Sequence, residues 1–138
     1  MERGFSMERD VRTERIISAA LAVHRALGPG LLESAYQTCM AHELAARGIH
    51  FEREKPISVT YKGTRLDCGY RVDMLVEQDI ILELKSVERI DRIHVAQVLT
   101  YLKLSNRHVG LLINFNVHLL KDGIRRLLLG PPPPPLPL

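Results

Sequence analysis

Apolar side chains in the first third of the chain return at helical spacing. Ile16, Ile17, Ala20, Leu21, Val23 and Leu27 line one side of a predicted helix over residues 10–27. Asp10 or Thr13 is the expected cap. Gly28-Pro29-Gly30 ends the helix, because Pro lacks the N–H donor and Gly permits a sharp turn. A second helix is predicted from 31 to 47, closed by Gly48 in the left-handed conformation.

After Gly48 the period falls to two. Ile57, Val59 and Tyr61 alternate with Ser58, Thr60 and Lys62, as in a half-buried strand. Lys62-Gly63 reads as a turn, and 64–76 as a second strand. Glu77-Gln78-Asp79 breaks it. Ile80 to Ser86 is a β-branched, mostly apolar run suited to a central strand. A third helix, capped by Asp91, is predicted over 92–104, followed by a buried strand over 109–114. Residues 121–129 read as a short strand or a single helical turn. The order of helices and strands predicts an α/β domain over residues 10–129, after an N-terminal extension of residues 1–9 that is expected to be flexible. Gly130 and the proline-rich residues to Leu138 predict a disordered, polyproline II-like tail. A proline-binding partner is the minority reading of that tail.

Composition narrows the function without deciding it. At 138 residues, 46% hydrophobic, the chain suits one domain with a core of its own. A net charge of +3 is compatible with a polyanionic partner. Cys39 and Cys68 belong to no metal-binding spacing and read as buried, reduced thiols. No apolar run suggests a secretory signal or membrane span, so a cytoplasmic protein without membrane contact is expected. The six histidines lack HxxxH or HxH spacing, and no GxSxG elbow is present, which disfavours histidine-metal and serine-hydrolase chemistry.

The informative stretch is Asp73, nine intervening residues, then Glu83-Leu-Lys85. Strand alternation puts Glu83 and Lys85 on one face. If 77–79 is a three-residue hairpin loop, Val76 pairs with Ile80, and Asp73 falls opposite Glu83. Two carboxylates there repel one another, and a hard divalent cation, Mg²⁺ or Mn²⁺, turns that repulsion into attraction. Such a cation acidifies water and neutralises phosphodiester charge, with Lys85 beside it. Alternation also places Arg71 on the face of Asp73, and it is the arginine expected to contact nucleic acid. Glu33, Tyr36, Gln37 and Met40 share a face of the second helix, and Gln97 and Tyr101 share one on the third. The bland alternative is a solvated strand face with an ordinary Glu–Lys pair.

These residues resemble the GxxExxY proteins, a family assigned to the PD-(D/E)XK nuclease superfamily. The motif is Gly30-Leu-Leu-Glu33-Ser-Ala-Tyr36, and the likeness continues through Tyr70-Arg-Val-Asp73, Glu83-Leu-Lys85, Gln97, Tyr101 and Gly110 to Phe115. Val72 stands where the superfamily often has proline. The resemblance implies a restriction-endonuclease-like core, a mixed sheet flanked by helices. It implies a Mg²⁺-dependent nuclease cutting DNA, with Asp73, Glu83 and Glu33 on the metal. Lys85, Gln97 and Tyr101 would complete the catalytic set. Tyr36 joins Arg71 as a candidate nucleic-acid contact. The chain is short, with no added recognition element, so it is expected to act without sequence preference, as a homodimer, or with a partner. The competing reading is a non-cleaving nucleic-acid-binding or assembly module on the same fold.

Overall fold

A computed structural model describes residues 2–130, with side chains described from residue 11. The predicted disorder of the tail after Gly130 falls outside the described residues. Helix α1 spans Glu2–Leu27 and α2 spans Glu33–Ala46. Strands β1 (Phe51–Tyr61), β2 (Thr64–Val76) and β3 (Ile80–Lys85) follow. Helix α3 (Arg92–Ser105) leads to β4 (Val109–Asn114), a single 3₁₀ turn (Leu120–Gly123) and β5 (Ile124–Leu128). Residues 121–129 thus contain both of the alternatives read from sequence. Helix α1 starts ahead of the boundary predicted at residue 10, so neither Asp10 nor Thr13 caps it. Thr13 is instead fully buried.

The five strands lie in sequence order, with β3 and β4 parallel and every other neighbouring pair antiparallel. The parallel pair requires a crossover, and α3 supplies it. The expected α/β architecture, a mixed sheet flanked by helices, is the observed one. Both central strands are covered on two faces. Ile80–Leu84 and Val109–Asn114 are buried throughout, which is why β3 and β4 read as continuous apolar runs rather than alternating ones. Ile80, Leu82 and Leu84 pack with Ile16, Tyr36 and Met40 under α1 and α2. Ile81 and Leu112 pack with Val98 and Leu102 of α3 on the opposite face.

Local chemistry accounts for the connections. Gly48 has φ +70°, and the N–H of Ile49 closes on the carbonyl of Leu44 at 2.9 Å, ending α2 as predicted. Lys62 (φ 51°) and Gly63 (φ 81°) turn the β1–β2 hairpin, as two successive positive φ values require in a two-residue loop. Asn114 clamps the segment after β3 by accepting from Val87 N–H and donating to Val87 C=O. The two cysteines are free, but Cys68 is exposed, which corrects the expectation that both are buried. It sits in the bulged part of β2, where the ladder skips from Ile57↔Tyr70 to Val59↔Leu66. Among the described residues no helix is long and apolar enough to cross a membrane.

Candidate active site

The predicted register is the observed one. Val76 pairs with Ile80, Leu75 with Ile81 and Met74 with Leu82. The next positions out are Asp73 and Glu83, and there side chains take over from the backbone ladder. The Glu83 carboxylate accepts the N–H of Asp73 at 2.7 Å, and the Asp73 carboxylate accepts the N–H of Leu84 at 2.8 Å. Each carboxylate thereby replaces a carbonyl acceptor. Its second oxygen accepts no hydrogen bond among the described residues.

The strands switch faces at this point. Met74 packs under α1 and α2, whereas Val72 packs toward α3. An uninterrupted strand would put both on one face. Strand β1 does the same. Phe51 lies with the α1–α2 cluster and Ile57 with the α3 cluster. Between them Glu54 has φ 52°, a left-handed conformation that a non-glycine residue holds at a cost of about 1–3 kcal/mol. Arg53 pairs with Met74 and Lys55 with Val72, which leaves Glu54 beside Asp73.

Burial sets the electrostatics. Glu83 is 3% exposed and Asp73 half-buried. Desolvation, and then the charge of Asp73, push the Glu83 carboxyl up to about 8. Desolvation raises Asp73 as well. The N–H of Leu84 and the charge of Lys85 oppose that rise, while Glu33 and Glu54 add to it. The charge of Glu33 acts on both central carboxyls, and that of Glu54 on Asp73.

Lys85 emerges on the α3 side, where its Nζ donates to Gln97 Oε1 at 3.0 Å. Gln97 Nε2 in turn donates to Tyr101 Oη at 3.2 Å. The i, i+4 spacing on α3 makes this relay possible. Burial, and then the charge of Glu83, raise the Tyr101 phenol above its ordinary value. Five of the predicted residues, Asp73, Glu83, Lys85, Gln97 and Tyr101, thus gather at one end of the sheet.

The other three stand differently. Glu33, exposed at the start of α2, reaches the pair through its charge. Among the described residues no group of three His, Cys, Asp or Glu side chains is close enough to hold a metal ion. Asp73 and Glu83 lie together, and Glu33 stands apart from them. Tyr36 is fully buried and stacks on Phe115 at 4.5 Å. Its hydroxyl donates to Gly28 C=O and accepts the N–H of Leu31. This corrects its assignment as a nucleic-acid contact, because Tyr36 fastens the α1–α2 turn from within. Arg71, exposed, lies 3.7 Å from Asp67 and donates to the carbonyl of Tyr70. The face switch at Asp73 breaks the alternation that placed Arg71 beside it.

Two residues beside the site were given no role by the sequence reading. Glu54 accepts from Gln37 Nε2 at 2.9 Å, joining β1 to α2 beside the carboxylates. Tyr70 meets Tyr101 edge-on, with centroids 6.0 Å apart. Tyr70 had a signal in its place three residues before Asp73. Glu54 had none, since no sequence rule anticipates a left-handed glutamate within a strand.

A family model of the PD-(D/E)XK nuclease superfamily matches residues 10–127. The chain belongs to that superfamily. The matched span includes β2, β3 and α3, and with them all five clustered residues of this PD-(D/E)XK protein. No curated protein and no solved structure matches the chain. The superfamily uses divalent metals, and the donor set here suits one. Two carboxylates converge, each with one oxygen tied to a backbone N–H and one left over, as a hard cation with oxygen ligands requires.

Proposed function

We propose that this PD-(D/E)XK protein is a metal-dependent nuclease that hydrolyses phosphodiester bonds in DNA, and that it is one of the GxxExxY proteins. The mutual embrace of Asp73 and Glu83 is the observation that supports this reading most. Two desolvated carboxylates brought together at the end of a buried strand repel one another when both are ionised, and a bound cation would offset that repulsion.

Asp73 and Glu83 would hold Mg²⁺ or Mn²⁺, which supplies charge neutralisation and an acidified water when bound. The backbone N–H groups of Asp73 and Leu84 fix the two carboxylates in orientation. Lys85 presents a cation on the same strand end to the phosphate oxygens of the transition state. Gln97 restricts the ammonium by accepting from it, and Tyr101 restricts Gln97. Both act as positioning residues. Glu33 and Glu54 add negative charge at the rim, which strengthens attraction for the cation.

The alternative, a non-cleaving binding module, is favoured by one feature, the lack of a third close carboxylate among the described residues. Titrating Mg²⁺ or Mn²⁺ with single- and double-stranded DNA and RNA separates the two. Metal-dependent cleavage that is lost in both Asp73→Ala and Lys85→Ala supports the nuclease. Metal binding without cleavage of any polymer supports the module.

A further inference from the structure

A second feature lies on the α3 side of the sheet, beyond the carboxylates. A cavity of about 250 Å³ opens between the β1–β2 hairpin and the end of α3. Lys55, Arg65 and Arg107 line it, with the hydroxyls of Ser58 and Ser105. Val72 forms part of its wall and is the chain neighbour of Asp73.

The two guanidinium charges in this cavity are uncompensated. Arg65 spends its Nε and one terminal nitrogen on the neutral Oγ of Ser58, at 3.3 and 3.1 Å. Arg107 donates to two backbone carbonyls, those of Gln78 and Ser105. Neither guanidinium has a carboxylate partner among the described residues. Lys55 alone is paired, with Glu52 at 3.1 Å and about two-fifths exposed. Two guanidiniums held only by neutral acceptors, with the Ser58 hydroxyl still able to donate, form a donor-rich anion cradle. Guanidinium forks match phosphate oxygens in particular.

Its position relates it to the carboxylates. Val72 and Asp73 are one peptide apart, about 3.8 Å between Cα atoms. Ser105 follows Tyr101 by four residues, about 6 Å along the helix, and its hydroxyl bonds the Tyr101 carbonyl at 2.7 Å. Phosphates along one strand of a duplex advance by about 3.4 Å of axis each. The wall of the cavity thus lies within a few residues of the carboxylates, a separation that a few phosphates of one strand would span.

We infer that the Arg65–Arg107 cavity is a phosphate-binding subsite that grips the nucleic-acid backbone on one side of the scissile bond and so sets the direction in which the strand lies. The inference rests on the nuclease reading for its position but not for its chemistry.

The test is oligonucleotide binding by fluorescence anisotropy, with the full chain in EDTA, as a function of salt. Arg65→Gln and Arg107→Gln should each weaken binding about tenfold near 0.1 M salt, equally for all sequences. Each should lower the slope of log K against log salt by about one. Because Arg107 also braces the end of α3, circular dichroism and thermal melting of Arg107→Gln serve as its folding control. Ser58→Asp, which places a carboxylate beside Arg65, should weaken binding without removing either arginine. Wild-type affinity and slope in Arg65→Gln and Ser58→Asp would overturn the subsite even if the enzyme cuts DNA. Inorganic phosphate bound as tightly as the oligonucleotide would overturn its assignment to a strand. Loss of binding in the arginine variants, in a protein that cleaves nothing, would uphold the subsite and reject the nuclease.

Discussion

The carboxylate of Glu83 accepts the backbone N–H of Asp73, and the carboxylate of Asp73 accepts the next N–H along β3, that of Leu84. Two strands that have just stopped pairing are thus stitched together by acidic side chains. The same bonds hold those side chains in place for a cation.

Removing either acid should abolish metal-dependent cleavage while the protein stays folded. Asp73→Asn and Glu83→Gln keep the acceptor oxygen but lose the charge. Each should lower kcat by at least about 10²-fold, the scale of one lost electrostatic stabiliser. Cleavage of labelled DNA with Mg²⁺ checks this, with circular dichroism as the folding control.

The metal-free protein should lose stability as pH rises. The Glu83 carboxyl ionises near 4.5 when unfolded and is pushed up to about 8 when folded. Between those values the folded state binds more protons than the unfolded one. Its stabilising contribution is full below about pH 4.5 and is lost as pH rises through about 8. The effect is on the order of a few kcal/mol. Melting temperatures in EDTA across that range measure it, and Glu83→Gln should flatten the slope.

Gln97 should act on rate rather than on substrate binding. Gln97→Ala frees the Lys85 ammonium from its acceptor, so kcat should fall about tenfold with KM little changed. Tyr101→Phe, one hydrogen bond further out, should cost less. A rise in KM alone would place Gln97 on the substrate instead.

Tyr36→Phe should destabilise without touching chemistry. It strands the Gly28 carbonyl and the Leu31 N–H at the α1–α2 turn, at a cost of about 1–3 kcal/mol. A lower melting temperature with unchanged kcat is the expected result.

Gly123→Ala should be worse. A Cβ there collides with the backbone carbonyl of Asn114, which cannot yield as a side-chain tip can. Overpacking of this kind costs about 1–3 kcal/mol or more. The damage reaches the Asn114 clamp on Val87, two residues beyond Lys85. Thermal melts and cleavage rates should fall together.

Much of this site was legible before any coordinates. The three-residue break at 77–79 fixed the register by counting, because side-chain period in a strand is two and a slip of one residue would have turned Asp73 away. That Gln97 and Tyr101 share a face followed from i, i+4 spacing on α3, whereas the bond from Lys85 to Gln97 depends on how α3 packs on the sheet. What escaped was set by tertiary context. The left-handed Glu54 inverts the facing of β1, and β2 inverts beside it. Alternation counted across Asp73 therefore misplaced Arg71. Tyr36 failed for a different reason, since an aromatic residue with a polar tip looks the same in sequence whether it faces a ligand or a buried turn. The first part of β1 also went unread, because Arg53-Glu54-Lys55-Pro56 is too polar and proline-broken to resemble a strand.

That same stretch governs how the sheet meets other molecules. As an outer strand β1 can accommodate Pro56. A missing donor and a left-handed kink make its free margin a poor template for another chain.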